Sequence, residues 1–247
     1  MTGQDSAPAT TEGTLLGGRL RHAQPRLGHR TGLEPVLLAA SIPARPGQRV
    51  LEGGTGSGAA LLCLAARIPG LAGLGLERDP GMAALARANI AANALSGLAV
   101  QAADLTAWAA DAPFDHAFAN PPWHEATATP SPDARKDAAR RAAPSLIAAW
   151  AASLARALRP RGTLTLILGA DHLATGLAAL SAAGCGSPLL HPFWPKPGRP
   201  ARLVLLRAVR GGRGPARLLP GLTLHQPDGR FTPEAEAILR DGAPLAL

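Results

Sequence analysis

The sequence predicts an α/β fold, an open and mostly parallel sheet covered by helices on both faces, and three observations lead there. From Gln48 to Gly169, short apolar runs alternate with longer amphipathic ones, the rhythm of parallel strands joined by crossover helices. The first run passes straight into a glycine-rich turn, LEGGTGSG, and then into an Ala-rich segment, as a strand-to-helix junction does. Hydrophobic residues make up 47% and charged residues 17% of 247, a globular composition in a chain long enough for one well-buried core.

Taken in order, residues 1–18 read as a flexible tail, residues 19–210 as the domain and residues 211–247 as an extension packed on it. Within the domain, QRVLEGG (48–54) is the first strand and AALLCLAARI (59–68) the first helix. LAGLGLE (71–77) is the second strand, and PGMAALARANIAANAL (80–95) a helix with Pro80 where its missing N–H does no harm. LAVQAAD (98–104) and FDHAFAN (114–120) are the third and fourth strands. SLIAAWAASLARALRP (145–160) is an amphipathic helix stopped by Pro160, GTLTLILG (162–169) the fifth strand, and HLATGLAALSAAG (172–184) a further helix. SPLLHPFW and ARLVLLRAV flank a turn rich in Pro, Lys and Arg and read as a hairpin closing the sheet edge, while PEAEAIL (233–239) is a short helix of the extension.

No window approaches the ~20 apolar residues of a membrane span, and the first residues lack a basic and then apolar leader. A cytoplasmic protein with no membrane association is expected. Cys63 and Cys185 lie far apart without metal-ligand spacing, so they read as two buried thiols, and no metal is expected. The net charge of +8 suits an anionic partner such as nucleic acid. Lys occurs only at 136 and 196, however, so a coding bias toward Arg explains the excess equally well.

The glycine turn places Gly54, Gly56 and Gly58 where the backbone must bend sharply and come close to a ligand at a helix N-terminus. Gly54, Gly56 and Ala59 also fit a dinucleotide-type spacing, which leaves a dehydrogenase open at this point. Glu77 ends the second strand, where a carboxylate accepts both hydroxyls of a ribose, and Asp104 ends the third. The carboxyl ends of neighbouring parallel strands line one crevice, so these groups converge on a nucleoside-like ligand.

Beside that crevice the fourth strand breaks into Asn120, Pro121, Pro122 and Trp123. The Asn120 side-chain oxygen and the Pro121 carbonyl offer two acceptors to an NH2 group, exposing its lone pair, and Trp123 stacks on a flat ring. A plain Pro-Pro turn with a core Trp is the alternative for the tetrapeptide alone. It loses ground once the glycine turn, Glu77 and Asp104 precede it in this order.

Together these motifs resemble class I S-adenosylmethionine-dependent methyltransferases that modify exocyclic or amide nitrogens. From about Gly18 onward, the stretches GGRLRHAQPRLGHRTGLEPVLLAA and LLPGLTLHQPDGRFTPEAEAILRDG make the chain similar to the bacterial tRNA1(Val) adenine-37 N6-methyltransferase family. The resemblance implies a Rossmann-like seven-stranded sheet with a reversed last strand and S-adenosylmethionine as cofactor. It implies that Gly54, Gly56 and Gly58 pass the methionine portion, Glu77 holds the ribose and Asp104 the adenine amino group. HRTGLEPVLLAA would fold over the cofactor, with His29, Arg30 and Thr31 as contacts. Glu52 and Glu34 stand where the family commonly has Asp, and Trp123 replaces Tyr or Phe, each keeping its chemical type.

The expected chemistry is in-line methyl transfer to N6 of adenine in tRNA, in the anticodon loop, needing alignment more than a strong base. His124 and Glu125 could accept a proton but more simply shape the loop. Arg135, Lys136, Arg140 and Arg141 could hold phosphates, or merely form a solvated helix face, and Lys196, Arg199 and Arg202 form a second basic surface. The remaining histidines read as structural, and a monomer or weak homodimer is expected. Rival readings are methylation of a protein glutamine amide, methylation of guanine N2 in ribosomal RNA, and an inactive RNA-binding module that keeps the fold.

Overall fold

A computed structural model describes residues 9–26, 31–122 and 134–247, the side chains of 134–144 excepted. Period-two alternation splits the central strands between two cores. In β3 (Arg49–Gly53), Val50 joins one hydrophobic cluster and Leu51 the other, as a strand buried on both faces requires. The further strands are β4 (Ala72–Glu77), β5 (Leu98–Ala102), β6 (Phe114–Ala119), β7 (Leu158–Gly169), β8 (Cys185–Trp194) and β9 (Leu203–Arg210). β10 (Arg217–Leu218) and β11 (Leu222–Thr223) are two-residue strands that pair parallel with β8.

The sheet order is β10-β8-β9-β7-β6-β3-β4-β5. β5, β4, β3, β6 and β7 run parallel, and β9 alone is antiparallel to both its neighbours, β7 and β8. The seven expected strands are therefore present with the last one reversed. That last strand enters between the fifth and sixth rather than closing the rim, and the rim belongs to β8, with β10 and β11 extending it.

One face carries α1 (Glu34–Ser41), α2 (Ala59–Arg67), α3 (Pro80–Ala92) and α6 (Pro233–Asp241). The other carries α4 (Ala134–Ala157) and α5 (Leu173–Ala182). Local chemistry sets the ends. Asp79 caps α3 by accepting from the Met82 N–H at 2.9 Å, Thr232 caps α6 by accepting from Ala235, and Gly242 ends α6 at φ 69°. The extension packs on α1, where the Leu245 N–H donates to the Ala40 carbonyl at 2.9 Å.

The stretch expected as a tail holds a strand. β1 (Thr10–Leu15) pairs antiparallel with β2 (Leu20–Pro25) around a left-handed turn at Leu16–Gly18. TTEGTL carries no hydrophobic alternation, and its order comes from the neighbouring β2, which side chains of α3 hold in turn. α1, likewise not foreseen as a helix, is an almost continuously apolar helix of about two turns buried against α2 and α6. Residues 1–8 lie outside the described residues.

Candidate active site

Register brings the expected residues to one edge. Gly53 of β3 lies level with Leu76 of β4 and Ala119 of β6, and Glu77 lies level with Ala102 of β5. The chain therefore leaves four adjacent parallel strands at nearly one height, placing Gly54, Glu77, Asp104 and Asn120 along one carboxyl rim, where open α/β sheets bind ligands.

The glycine turn needs its glycines for different reasons. Gly54, Gly56 and Gly58 have φ of 66°, 56° and 87°, a region that costs other residues steric strain. A Cβ on Gly54 would also lie 2.4 Å from the Trp150 ring, whereas one on Gly56 would meet nothing within 4 Å. Space is thus open on the ligand side of Gly56 and filled by α4 behind Gly54. The turn closes on itself through the Gly58 N–H donating to the Thr55 carbonyl at 2.8 Å. It is tied to β4 through the Thr55 N–H donating to the Leu76 carbonyl at 3.0 Å. Gly75 of β4 admits the Thr55 side chain, since a Cβ there would come within 2.9 Å of it.

Three carboxylates serve this rim differently. Glu77 accepts the Gly56 N–H at 2.9 Å on one oxygen and the Asp79 N–H at 3.0 Å on the other. A carboxylate has about four acceptor positions, so two remain for hydroxyls. Asp104 is held by the Thr106 hydroxyl at 2.7 Å and its N–H at 2.8 Å. These bonds lower its pKa, so it stays an anion available to an amino group. Glu52 lies beneath the turn, 4% exposed, accepting the Thr55 hydroxyl at 2.6 Å. Burial pushes its pKa up to about 8, opposed by the Thr55 hydrogen bond. Its described contacts are to Thr55 of the turn and to the Leu61 backbone of α2, so it supports the turn from behind.

A second set of residues on this side carried no motif. The buried His22 ring of β2 and the Ser57 hydroxyl of the glycine turn lie 2.9 Å apart in a hydrogen bond. Burial lowers the pKa of His22, which leaves a neutral ring to share a proton with that hydroxyl. Asn89 of α3 accepts the Ala23 N–H and donates to the Ala23 and Ser57 carbonyls at 2.8–2.9 Å. One turn on, Asn93 accepts the Arg21 N–H at 2.9 Å and donates to the Arg21 carbonyl at 2.8 Å. Two amides spaced i, i+4 on a helix thus grip alternate residues of a strand, since about 6 Å of helix rise matches two residues of strand. The sequence signal was ANIAANAL itself, two asparagines on one helix face.

At the end of β6, Asn120 is half-buried, Pro121 buried and Pro122 exposed. Thr31, expected over the cofactor, is half-buried and its N–H donates to the Gln24 side chain at 3.0 Å. Trp123, His124, Glu125, His29 and Arg30 lie outside the described residues. Arg135, Lys136, Arg140 and Arg141 are on α4, their side chains outside the described set. Cys63 and Cys185 are buried and unpaired, burial driving the Cys63 thiol up to about 12, so both are inert thiols. Among the described residues no group of three metal-ligating side chains exists, and no helix is long and apolar enough to cross a membrane.

A sheet with its seventh strand reversed, a glycine turn after the first strand and acidic groups ending the next two define a class I S-adenosylmethionine-dependent methyltransferase. Residues 34–172 match the family model described as the methyltransferase small domain, and the chain belongs to that family. It is 27% identical over 98% of both chains to a tRNA1(Val) (adenine(37)-N6)-methyltransferase of Dickeya chrysanthemi. A release factor glutamine methyltransferase of Rhodospirillum rubrum is 43% identical over 77 residues, 31% of this chain and 24% of that one. Among solved structures, a predicted O-methyltransferase, protein Atu636 from Agrobacterium tumefaciens, superposes with a TM-score of 0.71 at 26% identity, over 86% of this chain and 98% of that one. The enzyme uses S-adenosylmethionine, and the rim fits it: an open face over Gly56, free acceptor positions on Glu77 and an exposed anion at Asp104.

Proposed function

We propose that this methyltransferase acts on the exocyclic N6 amino group of an adenine in the anticodon loop of tRNA. The observation that carries the reading is positional. Asn120 and Pro121 leave β6 level with the glycine turn of β3, on the adjacent strand, so acceptors for an NH2 group stand next to the cofactor rim. The full-length relationship to a tRNA adenine-N6 methyltransferase supports the same substrate.

S-adenosylmethionine supplies a methyl group on a sulfonium, an electrophile that needs only an aligned lone pair. In this reading the Asn120 side-chain oxygen and the Pro121 carbonyl each accept one N–H of the adenine amine. That turns its nitrogen lone pair out of the ring plane. The Pro-Pro backbone keeps both acceptors in place before the base arrives, so orientation is settled in advance. Glu77 and Asp104 hold the ribose and adenine of the cofactor, and Trp123 stacks on the target base. The proton leaves from the methylated nitrogen to water along the same acceptors.

The test is methylation of unmodified tRNA with labelled S-adenosylmethionine followed by nucleoside mass analysis. N6-methyladenosine, lost in Asn120→Ala, is the expected result. The local match to a glutamine methyltransferase favours a second reading, in which the same two acceptors take a glutamine amide. Label appearing on a release factor and not on tRNA selects it.

A further inference from the structure

The active rim continues past Asn120 onto the other half of the sheet. β6, β7 and β8 all point the same way, so Trp194, the last residue of β8, emerges on the same edge. Following the register from Ala119 through Leu166 and Leu206 to Leu190 puts Trp194 three strand spacings across and four residues outward. That is roughly 19 Å from the end of β6 at ordinary sheet spacings, a span of a few nucleotides.

We propose that the tip of the β8–β9 hairpin is an RNA-holding surface: Trp194 stacks on a single-stranded base near the methylated one, and Lys196 and Arg199 bind its phosphates. The inference rests on the RNA reading given above. A recess of about 510 Å3 lined by Trp194, Lys196, Gly198, Arg199 and Thr223 forms there, within the size range of small-ligand sites. No Asp or Glu lines it. The nearby carboxylate of Asp228 is bound to Arg230 at 2.7 Å and also attracts Lys196, while Lys196, Arg199 and Arg202 are in no salt bridge among the described residues. The recess on the other side of this turn, about 520 Å3, includes Glu34 and Asp171 in its lining, which suits phosphate less.

The surface is also built in advance. The Trp194 Nε1 donates to the Pro220 carbonyl at 3.0 Å, fixing the indole edge, and the Lys196 Nζ donates to the Pro227 carbonyl at 3.2 Å with two N–H groups to spare. The Arg199 N–H closes the turn on the Lys196 carbonyl at 3.2 Å, and Gly198 takes φ 70°. Pro195, Pro197 and Pro200 limit the backbone on either side. A fixed half-buried Trp beside cations that form no salt bridge is the combination by which proteins hold single-stranded nucleic acid.

The experiment measures anisotropy of a fluorescent single-stranded RNA of anticodon-arm sequence, and of tRNA transcript, across a salt series with the full chain. Lys196→Ala with Arg199→Ala should weaken binding about ten-fold and flatten the salt slope by about 1.4, or about 0.7 per lost phosphate contact on a single strand. Trp194→Leu should weaken it about ten-fold at unchanged slope, and Trp194→Phe should restore most of the loss. Arg199→Glu, at an exposed tip position, covers the case in which the Trp variant fails to fold. S-adenosylmethionine binding should be unaltered in all of them. Wild-type RNA affinity and slope in the Lys196/Arg199 and Trp194 variants would overturn this surface while leaving the RNA reading intact. A wild-type protein that binds S-adenosylmethionine but no RNA would overturn both.

Discussion

The two halves of the active rim are secured in different ways. Over β3, β4 and β5, the glycine turn is wired to its surroundings: Glu77 holds Gly56, Glu52 holds Thr55, and His22 and Asn89 hold Ser57. Over β8 and β9, a proline-rich turn is anchored by two side-chain bonds to backbone carbonyls, one of them from Lys196, with Arg199 and Arg202 exposed. A small ligand of fixed shape rewards a turn whose every atom is placed. A polymer of variable shape rewards a stiff backbone carrying long, adaptable charges.

Asn120→Ala, between the two halves, should have the largest effect. Turnover should fall at least ~100-fold by single-turnover kinetics, because one of the two acceptors proposed to orient the nucleophile is lost, with S-adenosylmethionine affinity by calorimetry within about two-fold. Gly54→Ala comes next. A Cβ at 2.4 Å from Trp150 at positive φ should cost roughly 1–3 kcal/mol by urea unfolding and weaken cofactor binding. Gly56→Ala, with open space around it but φ 56°, should cost no more than the roughly 1–2 kcal/mol of left-handed backbone, without the overpacking met at Gly54, yet still lower cofactor affinity. Equal stability losses at the two positions would break the distinction between the filled and open sides of the turn.

Asn89→Ala strands the Ala23 N–H and C=O and should cost roughly 1–3 kcal/mol, read as a fall in melting temperature that cofactor partly restores. The last effect is a pH dependence. Glu52 titrates at about 8 in the fold against an ordinary 4.5, so the folded protein keeps a proton that the unfolded chain has released. Stability should therefore decline as pH rises from about 4.5 to about 8. His116 and His191, each lowered to about 4 chiefly by burial, act oppositely, adding stability as pH rises through 4 to 6.5. Between pH 6.5 and 8 the Glu52 decline stands alone, and Glu52→Gln should flatten it.

The sequence announced the parallel sheet because each central strand is an apolar run bounded by a turn residue. It announced Gly54, Glu77, Asp104 and Asn120 because each ends such a run. What it concealed depends on pairing partners that no local hydrophobic pattern reports. Thr10–Leu15 has no pattern of its own and becomes a strand through Leu20–Pro25, and Asn89 meets Ala23 across 66 positions. The insertion of β9 between β7 and β8 was hidden for the same reason: a hairpin's hydrophobicity reports burial, not which neighbour it lies beside.

The grip of Asn89 and Asn93 on β2 has a further consequence. A two-stranded ribbon standing apart from the main sheet presents an open row of main-chain donors and acceptors, a template on which a second chain could align. Here the amides occupy that row at Arg21 and Ala23, and by alternation the next outward residue is Pro25, which has no N–H to offer. The clasp thereby closes the β2 edge of the ribbon to pairing with another chain.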